Sequence, residues 1–263
     1  MITTDFVPGS PCWLDLGAPD VEAAADFYGA VFGWRTESFD PENSYLLFRL
    51  DGKIVGAVGA LTEADAKSAW MIYFHTTDAD ITVKAVEQAG GTVRVPASEV
   101  PSNVGRFAQL TDPQGAQFAL WEPGEHKGIE LADAPGSLGW TELYTSDSAA
   151  AQQFYGNVFG WTTQDVPLPG GGGTYTLITP ADSGDERMHG GIMGMPDMFT
   201  GDQKPYWHPV FGTADCDATV ARITEKGGAV SMGPEDAEGV GRLAVATDPA
   251  GAEFVVLTPA EGS

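Results

Sequence analysis

The chain has 263 residues, 43% hydrophobic and 10% aromatic, which fills one large or two ordinary cores. Against 13 basic residues stand 37 acidic ones, a formal charge of −24 scattered along the chain, which excludes the basic stripe that nucleic acid or an anionic membrane requires. No apolar run approaches the roughly 18 residues that cross a bilayer, and Met1 to Pro11 lacks the basic and apolar segments of a signal peptide, so a cytoplasmic location is expected, with neither nucleic acid nor membrane as partner.

In chain order, Trp13 to Leu16 reads as a short strand. Asp20 caps a helix from about Val21 to Val31 that carries Val21, Ala24, Phe27, Tyr28 and Val31 at helical spacing, and Gly33 ends it. Trp34 to Ser38 supplies a further strand. Strands around Tyr45 to Leu50 and Lys53 to Val58 are joined by Asp51-Gly52, a favoured two-residue hairpin turn. The same pattern follows again: a strand at Met71 to Thr76, a helix at Ala79 to Ala89 ending in Gly90-Gly91, and strands near Val93, Arg106 to Leu110 and Ala116 to Glu122. Asp112-Pro113-Gln114-Gly115 turns the last two into a hairpin. Cys12 and Cys216, the only cysteines, sit in apolar, strand-like runs and read as buried thiols.

Internal repetition decides the organisation. Trp13 to Thr36 laid over Trp140 to Thr163, a shift of 127, gives 13 identities in 24 positions, among them Phe27-Tyr28-Gly29 on Phe154-Tyr155-Gly156 and Phe32-Gly33-Trp34 on Phe159-Gly160-Trp161. Further on, at a shift of 136, Gly105-Arg106 falls on Gly241-Arg242, and Thr111-Asp112-Pro113 with Gly115 and Phe118 falls on Thr247-Asp248-Pro249 with Gly251 and Phe254. The nine extra residues of the second copy are expected in the loops around Pro167 to Gly173 and Ala181 to His189. The chain thus reads as an α+β protein of four βαβββ modules in two domains, 1–128 and 129–263.

Phe27-Tyr28 with Phe32-Gly33-Trp34, and Asp112-Pro113 with Gly115, resemble the opening and closing signatures of the vicinal oxygen chelate superfamily, the glyoxalase, bleomycin-resistance and dioxygenase group. Both signatures occur twice, so the resemblance covers nearly the whole chain, and it is nearest to the two-domain glyoxalase-like proteins of actinobacteria. It implies tandem glyoxalase-like domains in which pairs of βαβββ modules form curved sheets around two cups, each cup being a ligand site. It leaves the reaction open, because the superfamily spans enzymes and proteins that only bind drugs.

Strand alternation nominates the side chains lining each cup. Leu14 and Leu16 face the helix, so Trp13 and Asp15 face the cup, and the same parity nominates Trp140, Glu142 and Tyr144 in the second copy. Met71, Tyr73, His75, Gln117, Ala119 and Trp121 are nominated for the first cup, and His208, Val210, Glu253, Val255 and Leu257 for the second. The resemblance places the family's metal-ligand positions on Trp13, Met71 and Ala119, and on Trp140, His208 and Val255. Only His208 among these could bind a hard cation, where about three ligands are needed, so no metal and no cofactor are expected. Trp34 and Trp161, next to helix-ending glycines, read as packing residues.

The expected partner is a small hydrophobic or aromatic molecule, held by Trp13, Asp15, Tyr73, His75, Gln109 and Trp121 in one cup and by Trp140, Glu142, Tyr144 and His208 in the other. The leading expectation is a metal-independent binding protein for an aromatic metabolite or antibiotic. The alternative is an enzyme of the same superfamily, a lyase, isomerase or hydroxylase-like protein, using a carboxylate and histidine pair, with Glu142 or Asp15 as base and His208 or His75 as acid, or a divalent metal. Whether a reaction occurs stays open in the sequence. Gly170 to Gly173 lacks the lysine and following helix of a phosphate loop and reads as plain loop. Met188, Met193, Met195 and Met198, near Phe199, read either as an adaptable lip or as packing. The internal duplication favours a monomer over a dimer.

Overall fold

The computed structural model describes residues 1–39, 45–61, 66–168, 173–198 and 203–260. Its elements are β1 (Pro11–Ala18), α1 (Val21–Phe32), β2 (Arg35–Ser38), β3 (Tyr45–Leu50), β4 (Lys53–Ala60), β5 (Ala69–His75), α2 (Ala79–Gln88), β6 (Thr92–Val100), β7 (Gly105–Thr111) and β8 (Gln117–Pro123) in the first copy. The second copy repeats them as β9 (Leu138–Thr145), α3 (Ser148–Phe159), β10 (Thr162–Pro167), β11 (Thr174–Thr179), β12 (Gly190–Gly194), β13 (Tyr206–Gly212), α4 (Cys216–Glu225), β14 (Ala229–Ala237), β15 (Gly241–Thr247) and β16 (Glu253–Pro259). Two eight-stranded mixed sheets result, in the orders β2-β3-β4-β1-β5-β8-β7-β6 and β10-β11-β12-β9-β13-β16-β15-β14. This is the α+β arrangement of four βαβββ modules in two tandem copies that the repeat implied.

The four α-helices of the described residues begin alike. Asp20, Asp78, Asp147 and Asp215 hold extended backbone, and each carboxylate accepts from the backbone N–H three residues on, at Ala23, Ile81, Ala150 and Ala218, satisfying a donor the helix itself leaves open. The helices that open each copy, α1 and α3, end on Gly33 and Gly160, whose φ of 77° and 69° is left-handed backbone that favours glycine. The Asp51-Gly52 hairpin has positive φ at both residues, 50° and 80°, as its turn type requires. Cys12 is a buried strand residue as expected, whereas Cys216 is the first residue of α4, directly after the Asp215 cap, and not part of a strand.

Equivalent residues show where the second copy is longer. The shift is 127 at Asp15 and Glu142, 130 at Tyr45 and Tyr175, and 134 at Ala57 and Gly191, so residues are added in the β10–β11 and β11–β12 connections, both named from the sequence. A single 3-10 turn, Asp185–Arg187, fills the second of these. The shift reaches 137 at Trp70 and Trp207, so the β12–β13 connection is longer as well. Gly170 to Gly172 and Phe199 lie outside the described residues.

The chain divides into two compact units that do not follow the repeat. One comprises Met1–Trp13, Ile72–Gly128 and Trp140–Trp207, and the other Leu14–Met71, Ile129–Gly139 and His208–Ser263. Each has its own aromatic core and its own copy of one buried relay. In the first unit Trp207 Nε1 donates to the Tyr155 hydroxyl (2.8 Å), which donates to Asp112 Oδ2 (3.2 Å), while Asp112 Oδ1 accepts from the N–H groups of Gln114, Gly115 and Ala116. In the second, Trp70 Nε1 donates to Tyr28 (3.0 Å) and Tyr28 to Asp248 Oδ2 (3.3 Å), with Ala250 and Ala252 N–H on Oδ1. Burial raises both carboxyl pKa values against the opposing pull of these N–H donors, and burial, followed by the neighbouring aspartate charge, holds both tyrosines as phenols. The opening signature of each copy is therefore bonded to the closing signature of the other copy.

Candidate functional site

In the first unit the alternation read from the sequence holds on β9. Thr141, Leu143 and Thr145 are buried, and Trp140, Glu142 and Tyr144 lie half-buried on the opposite face. Sequence reasoning missed their neighbour Tyr175. Tyr175 pairs with Met193 and Glu142 with Gly191, so phenol and carboxylate stand on strands to either side of β12. The ring reaches across because Gly191 has no side chain, and a Cβ there would collide with the phenol. At the far side the Tyr175 hydroxyl accepts from Trp140 Nε1 at 2.8 Å and hydrogen-bonds the Glu142 side chain. Burial, then the Glu142 charge, raises the Tyr175 pKa well above that of an ordinary phenol, so the proton stays on the tyrosine and Glu142 acts as acceptor. Tyr144 meets Tyr206 edge to face, with centroids 5.7 Å apart. Met193 lies in register with both Tyr144 and Tyr175.

The same unit carries Trp13, Tyr73, His75, Gln109 and Trp121. Tyr73 and His75 are in register with Ala119 and Trp121 on β8, and Gln109 pairs with Ala119 from β7, which brings these four side-chain positions onto three neighbouring strands. His126, also missed, joins the two indoles: its ring meets Trp13 edge on at 4.8 Å and Trp121 at 6.0 Å, and its carbonyl accepts from Trp121 Nε1 at 3.1 Å. Burial lowers the His75 pKa, leaving a neutral imidazole near pH 7. Trp161, expected in packing, is buried and donates to the Gly9 carbonyl.

In the second unit Asp15 is half-buried between the buried Leu14 and Leu16, and its Oδ2 accepts from the Tyr45 hydroxyl at 2.9 Å. His208 is 1% exposed, with Nδ1 3.5 Å from Glu253 Oε1. A carboxylate, that of Glu253, thus stands beside this histidine within its unit. Trp34 is buried, stacks on Tyr28 and donates to the Gly136 carbonyl, as a packing residue should.

The superfamily's divalent metal can be tested on the side chains alone. At the inferred ligand positions, Trp13, Trp140, Met71, Ala119 and Val255 offer no hard-cation donor. Among the described residues no group of three or more His, Cys, Asp and Glu could hold an ion. Apart from His208, the residues at these positions do not fit the metal.

Sheet order, the doubled signatures and their relays define a tandem glyoxalase-type protein. Residues 137–256 match the profile of the Glyoxalase/Bleomycin resistance protein/Dioxygenase superfamily, and 13–121 match that of the Glyoxalase-like domain. Among similar proteins are the anthracycline biosynthesis protein DnrV of Streptomyces peucetius, 40% identical over 98% of this chain and 96% of its own length, and the putative glyoxylase CFP32 of Mycobacterium tuberculosis, 34% identical over 98% and 97%. The chain belongs to this glyoxalase superfamily. The same fold is found in the 2,3-dioxygenase LapB from Pseudomonas sp. KL28 (TM-score 0.65, 17% identity, 96% of this chain and 93% of that one) and in the Mn(II)-bound glyoxalase from Novosphingobium aromaticivorans (TM-score 0.63, 17% identity, 95% and 82%).

Proposed function

We propose that this protein binds a hydrophobic aromatic metabolite or antibiotic, without a metal, in the manner of the superfamily's drug-binding members. The observation that carries the reading is the aromatic side chains at and around the positions where a metalloenzyme would place its ligands: Trp13 against His126, whose ring also meets Trp121, and Trp140 bonded to Tyr175, with Tyr144 against Tyr206 further along the same strand. Such rings with a few convergent polar groups are the usual make-up of a small-molecule site. Similarity to a protein named for anthracycline biosynthesis supports an aromatic natural product as ligand. The domains are taken as 1–128 and 129–263, and the working form as a cytoplasmic monomer. Among the described residues no helix is long and apolar enough to cross a membrane.

A second reading, an enzyme, is favoured by one contact. His208 is buried against the Glu253 carboxylate, an arrangement that suits general acid–base work. Native mass spectrometry of the tag-free protein separates the two. An organic adduct without metal, lost in the Trp13→Ala and Trp140→Ala variants, is the expected result. A stoichiometric divalent metal would overturn the metal-free reading, and turnover abolished by His208→Gln with binding retained would establish the enzyme.

A further inference from the structure

The tyrosine and carboxylate pair occurs twice. Tyr45 and Tyr175 stand at the same place in β3 and β11, as do Asp15 and Glu142 in β1 and β9, and in each copy the intervening strand offers a small residue, Ala57 or Gly191, for the phenol to cross. The hydroxyl meets the carboxylate in both, at 2.9 Å for Tyr45 and Asp15. The acid differs in length between the copies, yet the contact is kept. A pair serving only to fill space would be replaced without loss by apolar side chains, since a buried polar pair contributes little net stability over them. Both acids are half-buried, so neither is sealed in the core, and in the second copy Trp140, Tyr144 and Tyr206 lie in the same unit as the acid.

We infer that these dyads are the polar recognition elements of the two copies and that they take a hydroxyl donor carried on an aromatic ring, that is, a phenol. Asp15 and Glu142 accept the ligand's proton in a hydrogen bond, with no bond made or broken. Tyr45 and Tyr175 are positioning residues: each donates to its carboxylate, fixes the carboxylate's rotamer, and so turns its acceptor capacity toward a ligand. In the second copy Trp140 Nε1 occupies the phenol oxygen of Tyr175 as donor, which leaves the tyrosine proton for Glu142 and sets the direction of the relay. This rests on the proposed aromatic-binding function and adds the group that is recognised.

The test is isothermal titration with 2-naphthol and with 2-methoxynaphthalene, in which methylation removes the donated proton and keeps the ring. The wild-type protein is expected to prefer the naphthol by about tenfold or more, as a hydrogen bond to a charged acceptor allows. In the Asp15→Asn/Glu142→Gln variant the preference should fall to about threefold or less while the ether binds unchanged. Tyr45→Phe/Tyr175→Phe should reduce the preference with the ether again unchanged, a pattern that general loss of structure would not give. Equal wild-type affinity for the two compounds, or a preference that survives in the acid variant, overturns the inference and leaves aromatic binding standing. Failure of both compounds to bind overturns the two readings together.

Discussion

His189 is 1% exposed, and neither ring nitrogen has a hydrogen-bond partner among the described residues; its nearest rings are Trp161 at 5.2 Å and Phe74 at 6.3 Å. Burial, with a smaller push from the N-terminal ammonium, lowers its pKa to about 3. Above pH 6.5 the imidazole is neutral in both folded and unfolded chains. Between about 6.5 and 3 the unfolded chain takes up a proton that the folded one refuses, so stability is lost progressively as the pH falls through that window. His189→Phe should remove this loss, gaining about 2 to 3 kcal/mol at pH 4.5 beyond any gain at pH 7.5. Urea unfolding of both proteins at the two pH values measures it, and an equal difference at each would refute the account. Asp112 and Asp248, whose raised pKa values act in the opposite direction, are common to both proteins and cancel. At this scale the parity read from the sequence matches the burial of β9, where Trp140, Glu142 and Tyr144 alternate with buried Thr141, Leu143 and Thr145. On β1, by contrast, Trp13 is buried together with Cys12 and Leu14, and only Asp15 stands out as half-buried between leucines. Tyr45 and Tyr175 were hidden because their equivalence appears only at a shift of 130, between the two shifts that carry identities. His126 was hidden because it follows β8 in an irregular segment with no period to read.

Helices and tight turns were legible as elements because each carries its own chemistry, an aspartate cap, a left-handed glycine or an Asp-Gly hairpin. Strand β6 was not. Its nine residues alternate poorly, and register shifts between Val93 and Val95 and between Val95 and Ser98 break the two-residue period from which only Val93 stood out. Gln114 shows how a turn residue can bind an element. Its Oε1 accepts from Thr145 and Ser146 hydroxyls and from Asp147 N–H, and its Nε2 donates to the Asp147 carbonyl, so the β7–β8 turn is tied to the start of α3. The equivalent turn of the second copy has Ala250 and no such tie. Gln114→Ala removes four hydrogen bonds, and because water replaces part of them at this exposed end the expected cost is about 1 to 3 kcal/mol. Lys226→Ala, past the end of α4 where the side chain is 44% exposed, should cost less than about 0.5 kcal/mol and serves as the comparison in the same denaturant titration.

At the scale of the whole molecule two properties dominate. A charge of −24 makes every compact state repel itself, so added salt should stabilise the fold by screening. A melting temperature that rises by several degrees between about 20 mM and 300 mM sodium chloride is expected, and a flat response would mean that the scattered charges are already compensated locally.

The second property is the interleaving of the repeat, which the sequence hid by presenting two contiguous copies. Fragment 1–128 holds Tyr28 and Trp70 without Asp248, and Asp112 without Tyr155 and Trp207, so both of its half-relays leave a buried polar group open. Its aromatic side chains lose partners in the same way, Phe32 and Trp70 losing Phe211, and Phe74 and Phe118 losing Phe159. Each orphaned buried group costs about 1 to 3 kcal/mol and the bared aromatic area more, against a total stability of about 5 to 15 kcal/mol for an ordinary domain. The fragment is therefore expected to show no cooperative melting transition as a monomer. It can regain one by self-association, since Tyr28 of one molecule and Asp112 of another are the same signature pair, or by mixing with fragment 129–263. Calorimetry combined with sedimentation on the fragments, alone and mixed, decides this: a monomeric 1–128 that melts cooperatively near the temperature of the full chain would show that the relays are dispensable and the copies independent.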